Sequence, residues 1–201
     1  MRALILVDIQ NDFMPGGSLP VPDGDEIVHT VNLIQHQFDW IIATQDWHPA
    51  HHKSFASNHE NKHVYDTITL NGIEQILWPD HCVQGTIGAE FHPELVTDHI
   101  QTIFRKGTDP EIDSYSGFYD NGNEKSTGLT GYLKGLAINE LYVCGLAADF
   151  CVYFTARDAL RAGFNTTIIT DATRAINNEG FTKAQKEIRA LGGQLKTSQH
   201  L

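Results

Sequence analysis

Short apolar runs alternate along the chain with segments in which apolar residues recur at helical spacing. The runs predict strands at 2–7, 39–44, 99–105, 140–145, 165–170 and 194–197. Helical spacing follows in the segments that begin near residues 23, 126, 149 and 181. Nearly continuous apolar strands separated by helices are typical of a parallel sheet covered on both faces. The pattern therefore predicts an α/β fold, a three-layer αβα sandwich around a mostly parallel, roughly six-stranded sheet.

Residues 46–98 interrupt this alternation. The segment is rich in His, Asn and Gly and contains no long periodic stretch. A loop excursion of this length inside a compact domain is usually functional, or else it marks a wrong assignment of elements. Because no linker or internal repeat divides the chain, we predict a single domain over residues 1–201, with a loop-rich, metal-binding excursion at about 46–98.

Charge and cysteine content narrow the classes of function. Fourteen basic and 25 acidic residues give a formal net charge of −11, whereas nucleic acids and anionic membranes require a basic face. No apolar run approaches the roughly 20 residues that span a bilayer, and the N-terminus lacks a secretory apolar region. Three cysteines in a chain of 201 residues do not form a disulfide framework. We therefore expect a cytoplasmic protein that binds neither nucleic acid nor membrane.

Charged and nucleophilic residues follow the ends of four predicted strands. Asp8 follows the first strand, Asp46 the second and Lys106 the third, and Cys151 comes shortly after the fourth. Because ligands of open α/β sheets bind outside the carboxyl ends of the strands, these side chains are expected at one edge. Each alone has a structural explanation, such as a turn cap for Asp8 or a solvated charge for Lys106. Together they favour a functional site.

Cys151 is the expected nucleophile. It falls in the first turn of a helix, where unpaired N–H groups and the helix dipole favour an anion. We expect this position and Lys106 to activate the thiol, and the amides of Cys151 and Ala147 to form an oxyanion hole. Asp8 is expected to take the thiol proton and return it to the leaving group, since an amide expels ammonia only with acid assistance. Cys144, inside a strand, is expected to be inert.

Asp46, His48 and His81 form a candidate metal site. Asp-x-His places two ligand side chains on one side of an extended segment. Two imidazoles and one carboxylate leave open positions on Zn²⁺, Fe²⁺ or Mn²⁺. Cys82 is expected to be structural. Four other histidines compete as ligands, although an exposed loop position explains most of them better: His51, His52, His59 and His63.

Aromatic residues near these candidates are expected to form an apolar wall for a flat ligand. The residues are Phe13, Trp47 and Trp78. Each alone is more often part of a core, so this prediction depends on the neighbouring polar residues.

Seven segments, in this order along the chain, resemble the isochorismatase-like family of cysteine hydrolases, and in particular its members that cleave nicotinamide. The resemblance covers nearly the whole chain and implies hydrolysis of nicotinamide to nicotinate and ammonia through a thioester on Cys151, as part of NAD salvage. The segments are Val7–Phe13, Gln45–Pro49, Ser54–Ala56, Trp78–Val83, Arg105–Gly107, Asp113–Phe118 and Gly145–Val152.

The resemblance also implies roles for individual residues. The resemblance implies a catalytic triad of Asp8, Lys106 and Cys151. It implies that one divalent metal is bound by Asp46, His48 and His81, with Ser54 and His52 around these ligands. Zn²⁺ is expected ahead of Fe²⁺ or Mn²⁺. The residues that line the substrate ring are Phe13, Trp78 and Tyr115. The Leu146–Ala147 peptide matches a cis bond that shapes the family's oxyanion hole.

Three positions depart from the family pattern. Ala148 and Phe150 stand where many relatives have Thr and Tyr, and His51 stands where Asn is expected, which leaves open a further metal ligand. Two other functions also stay open: a related hydrolase for another small amide or carbamoyl compound, and a silent binding module with a structural metal. Hydrolysis of isochorismate fits less well, because those relatives need no cysteine nucleophile. The partners we expect are nicotinamide, pyrazinamide and, as a further option, a second copy of the chain in a homo-oligomer.

Overall fold

The computed structural model describes residues 1–201 and contains eight strands and four helices. Six strands form one parallel sheet in the order β5-β2-β1-β6-β7-β8, which confirms the predicted fold class. The strands are β1 (Arg2–Val7), β2 (Trp40–Asp46), β3 (Thr67–Leu70), β4 (Ile73–Ile76), β5 (Ile100–Lys106), β6 (Glu140–Gly145), β7 (Asn165–Thr173) and β8 (Gln194–Lys196). The helices are α1 (Ile27–Ile34), α2 (Leu129–Gly135), α3 (Cys151–Arg161) and α4 (Asn178–Ala190).

Two apolar clusters lie on opposite faces of the large sheet. Leu4 and Leu6 of β1 belong to the cluster that contains Val31 of α1. Ile5, between them in the sequence, belongs to the cluster that contains Val152 of α3. Successive side chains of a strand point to opposite faces, so β1 is buried on both sides and the three-layer arrangement follows. None of the helices is long and apolar enough to cross a lipid bilayer.

A small antiparallel hairpin, β3–β4, lies within the segment that we predicted to be irregular. The prediction was wrong there because the two strands are short and only partly buried. The turn between them, Asn71-Gly72, has positive φ angles of 50° and 80° at its two residues. Asn-Gly is the strongest short signal for a two-residue hairpin turn. The hairpin matters for the site because it carries Gln75, which is buried.

Three strands of the large sheet extend further than the apolar runs indicated, and β7 does so through Thr173. β2 continues through Asp46 and β5 through Lys106, and the two residues are paired in the parallel register. Residues paired in neighbouring parallel strands point to the same face of the sheet. The strand ends therefore bring a carboxylate and an ammonium together.

Candidate active site

The ammonium of Lys106 is the centre of a buried polar cluster at the carboxyl edge of the sheet. Its Nζ lies 2.8 Å from Oδ2 of Asp8 and 2.9 Å from Oδ1 of Asp46. It also donates to the carbonyl of Ser114 at 3.1 Å and lies 3.5 Å from Sγ of Cys151. All of these side chains are nearly inaccessible to solvent. The structure thus brings together the three residues predicted as a triad and one predicted metal ligand.

Asp8 is held by the turn that follows β1. Its φ angle is 48°, in the left-handed region that aspartate tolerates better than most residues. Its Oδ1 accepts a hydrogen bond of 2.6 Å from the hydroxyl of Thr44. Burial raises the pKa of Asp8, while Lys106 lowers it. A carboxyl group whose pKa is raised is suited to accept and return a proton.

Cys151 begins α3 and is 7% exposed. Burial raises the pKa of its thiol well above the usual range, and Lys106 offsets only part of this effect. A hydrogen bond between the thiol and Asp8 raises the pKa further. Our expectation that the helix terminus and Lys106 activate the sulfur stays a prediction, and Lys106 acts in the expected direction because it lowers the pKa of the thiol. The carboxylate of Asp8 beside the sulfur is placed to take the thiol proton during the reaction.

The loop before Cys151 leaves two amide donors unused. The Leu146–Ala147 peptide bond is cis, as the resemblance implied. The N–H groups of Phe150 and Val152 donate to the carbonyl of Ala147, whereas the N–H groups of Ala147 and Cys151 donate to no backbone carbonyl. Free donors beside a nucleophile can stabilise an oxyanion.

The predicted metal ligands also converge. Oδ2 of Asp46 lies 3.0 Å from Nε2 of His48 and 3.4 Å from Nε2 of His81. The other ring nitrogen of His48 contacts the carbonyl of Gly107 at 2.9 Å, and that of His81 contacts the carbonyl of Pro79 at 2.8 Å. A carbonyl accepts hydrogen bonds only, so both Nδ1 atoms carry a proton, and the two Nε2 atoms that face Asp46 are the nitrogens that would bind a cation.

The charges around Asp46, in the cluster with His48 and His81, favour the ionised form of its carboxylate. Although burial raises the pKa of Asp46, the imidazole of His48 and the ammonium of Lys106 hold it well below the usual range. An ionised carboxylate with two imidazole nitrogens is a donor set suited to a divalent metal with open positions. The residues present therefore fit such an ion.

A cavity joins the nucleophile to the metal candidates. Cys151 and Ala147 line it, and so do Asp46 and His81. The remaining lining residues supply mostly apolar surface and include all three that were predicted to contact a ring: Phe13, Leu19, Trp78, Asp113, Tyr115, Phe150 and Ile176.

Aromatic rings contact one another edge to face around this cavity. The rings of Trp78 and Phe150 lie 5.0 Å apart at 88°, and those of Tyr115 and Phe150 lie 5.5 Å apart at 72°. Nε1 of Trp78 and Nε2 of Gln75 both donate to the hydroxyl of Tyr115 at 3.1 Å. This mutual support fixes the walls before a ligand arrives.

Several predicted residues lie elsewhere. The prediction that Trp47 forms the wall was wrong, because its ring packs under the guanidinium of Arg105, 4.0 Å from the ring centroid. His51 and His63 are exposed and His59 is half-buried, while Cys144 is buried within β6. The predictions missed four lining residues. Phe150 and Asp113 stand inside the matching motifs, whereas Leu19 and Ile176 carry no local signal.

Comparison with known proteins agrees with this geometry. A family model described as an isochorismatase domain matches residues 2–200, so the chain belongs to the isochorismatase family. Among relatives, it is 49% identical over 200 residues to a nicotinamidase of Acinetobacter baylyi, covering 99% of this chain and 94% of that protein.

Two solved structures are also similar to this chain. A nicotinamidase and pyrazinamidase of Acinetobacter baumannii superimposes with a TM-score of 0.97 at 46% identity, covering 99% of this chain and 97% of the other. A pyrazinamidase of Pyrococcus horikoshii in complex with zinc gives a TM-score of 0.80 at 39% identity, covering 98% of each chain.

Proposed function

We propose that this protein hydrolyses nicotinamide to nicotinate and ammonia, with Cys151 as the nucleophile. The observation that carries the proposal is one cavity lined by a cysteine sulfur, by two candidate metal ligands and by aromatic rings. The similarity to nicotinamidases supports the substrate. A metal aimed at a ring nitrogen has no partner in most other small amides, so the combination favours an aromatic carboxamide that contains nitrogen.

The first chemical step is thioester formation. Asp8 takes the thiol proton of Cys151, and the sulfur attacks the carboxamide carbon. The N–H groups of Ala147 and Cys151 hold the resulting oxyanion. Asp8 then gives its proton to the amide nitrogen, the C–N bond breaks and ammonia leaves.

The second step is hydrolysis of the thioester. Asp8, ionised again, takes a proton from water, and the hydroxyl group adds to the thioester carbon. The C–S bond breaks, and Asp8 returns its proton to the departing sulfur. The carboxylic acid that forms loses its proton to solvent and is released as nicotinate. Lys106 stays positively charged, since burial, which lowers its pKa, is outweighed by Asp46 and Asp8, which raise it. Its role is to hold Asp8 beside the sulfur and to balance the negative charge.

The ion we propose is Zn²⁺, bound by Asp46, His48 and His81. When bound, it supplies a Lewis-acid contact to the pyridine nitrogen. The rings of Phe13, Trp78 and Tyr115 are proposed to pack against the substrate ring, and Ser54 and His52 lie behind the ligands. Pyrazinamide carries a ring nitrogen at the same separation from its carboxamide, so we propose it as a second substrate.

Product analysis tests this proposal. Purified, zinc-loaded protein is incubated with nicotinamide, and nicotinate and ammonia are measured. We expect equal amounts of both, and a loss of kcat of at least about 10²-fold in Asp8→Asn, which removes the proton carrier. Benzamide, which lacks the ring nitrogen, is the matched control and should react poorly. Absence of nicotinate, or wild-type turnover in Asp8→Asn, would contradict the proposal. The predicted cytoplasmic location and the oligomeric state stay predictions.

A further inference from the structure

His52 is a buried histidine whose two ring nitrogens have unlike surroundings. The residue is fully buried, and its ring packs against that of His48 with centroids 4.5 Å apart. Nδ1 of His52 lies 3.1 Å from the backbone N–H of Ser54 and 2.7 Å from the Ser54 hydroxyl. Nε2 is buried and has no hydrogen-bond partner in the protein.

These contacts determine which nitrogen carries the proton. A backbone N–H can only donate, so Nδ1 of His52 must accept and cannot itself be protonated. A doubly protonated ring would set two N–H groups of His52 and Ser54 against each other. The ring is therefore neutral with its proton on Nε2, opposite to the tautomer of His48 and His81. A protonated nitrogen has no lone pair for a metal.

A buried carboxylate, that of Asp113, lies close to the rings of His48 and His52. One ring nitrogen of His48, one of His52 and one carboxylate oxygen of Asp113 all lie within 4.8 Å of one another. Asp113 is buried and lines the cavity, and its oxygens accept from Ser114 N at 2.7 Å and Gln75 Nε2 at 3.3 Å, which leaves further lone pairs. Two hydrogen bonds through one water span such a separation, and a polar pocket of this kind favours a water.

We infer that His52 is a hydrogen-bond donor and not a metal ligand, and that its Nε2–H and the Asp113 carboxylate together hold one water in the shell of the metal. This inference rests on the metal centre proposed above. It gives Asp113, which no sequence prediction assigned, a positioning role, and it explains why the imidazole stacked on His48 has the opposite tautomer. Partners of this kind typically change metal affinity by about 10–100-fold when they are removed.

Three variants test whether His52 acts as a hydrogen-bond donor, as a metal ligand or only by filling space. His52→Gln places an amide N–H near the position of Nε2, and His52→Phe keeps the volume without a donor. His51→Gln changes the exposed neighbour and is the control. We expect Zn²⁺ affinity, measured by competition with a chromophoric chelator, to fall about 10–100-fold in His52→Phe, to recover mostly in His52→Gln and to stay unchanged in His51→Gln.

Two spectroscopic measurements complete the test. In ¹⁵N-labelled, metal-free protein, two-bond ¹H–¹⁵N correlations should show His52 protonated at Nε2, with its signals identified by their loss in His52→Gln. X-ray absorption of the zinc protein should show two imidazole ligands in the wild type and in His52→Gln.

A third imidazole that disappears in His52→Gln, or a proton on Nδ1, would overturn the inference. Equal zinc affinity in a folded His52→Phe would also overturn it. If the wild type binds no divalent metal, the proposed metal centre itself fails. The tautomer, measured without metal, would still decide whether His52 is a donor.

Discussion

Nζ of Lys106 lies 2.9 Å from Oδ1 of Asp46, so the proposed triad touches the proposed metal site directly. The same ammonium lies 2.8 Å from Asp8, and all three groups are buried. One positive charge therefore balances two carboxylates, one for proton transfer and one for the metal. Proton transfer at Asp8 and metal binding at Asp46 are therefore electrostatically coupled.

Replacing this ammonium should damage folding as well as turnover. Lys106→Met leaves Asp8 and Asp46 buried without their shared counter-charge, and breaking such a pair typically reduces the free energy of unfolding by about 3–5 kcal/mol. Lys53→Met is the matched control, because the Lys53–Glu111 pair is about half exposed and should contribute less than about 1 kcal/mol. Urea denaturation measures both. Equal stability of the two variants would show that the buried contacts are not coupled as described.

The pH dependence of turnover should report on Asp8. Its raised pKa means that kcat/KM falls, as the pH drops, at a higher pH than for an ordinary aspartate, because only the ionised form accepts the thiol proton. The Thr44 hydroxyl bonds to that carboxylate at 2.6 Å and favours its ionised form. Thr44→Val should therefore raise the pKa and move the acid limb upward by about one pH unit.

Thr44→Ser is the control for this shift. It keeps the hydroxyl and should keep the wild-type profile. An acid limb that stays in place in Thr44→Val, or moves to lower pH, would show that Asp8 is not the group that limits turnover in acid.

Because Gly107 has no side chain, the His48 ring has room to lie beside it. A Cβ at Gly107 would stand 2.3 Å from Cε1 and 2.7 Å from Nδ1 of His48, and the glycine φ is +65°. Gly107→Ala should push the imidazole away and weaken metal binding about 10–100-fold, with activity restored at high metal concentration. Gly163→Ala is matched, since its φ is +90° and nothing lies within 4 Å of an added Cβ. If both variants bind metal alike, His48 is not a ligand.

Most of the sheet and the residues at its edge could be predicted from the sequence. Buried parallel strands are continuous apolar runs, and the rule that ligands bind at their carboxyl ends pointed to Asp8, Asp46 and Lys106 before any coordinates. The same rule pointed to Cys151, which comes shortly after the end of the fourth predicted strand. Local patterns suffice where one strand or one helix start determines a position.

The remaining features depend on contacts between distant segments. Ile176 and Leu19 reach the cavity through the packing of separate loops, and no spacing in the sequence marks them. The pKa of the Cys151 thiol also depends on how completely the fold buries the sulfur, because burial raises that pKa and no local spacing in the sequence shows it. Trp47 was misplaced because Arg105, on the neighbouring strand, offered its ring a better partner.

The most direct test of the account is ammonia release by Cys151→Ala, with bound metal measured on the same sample. We predict that turnover of nicotinamide falls by more than about 10⁴-fold while the metal content per chain stays at the wild-type level. Cys144→Ala, which alters a buried cysteine inside β6, should keep turnover. Wild-type ammonia release from Cys151→Ala would contradict the central claim that this sulfur attacks the substrate.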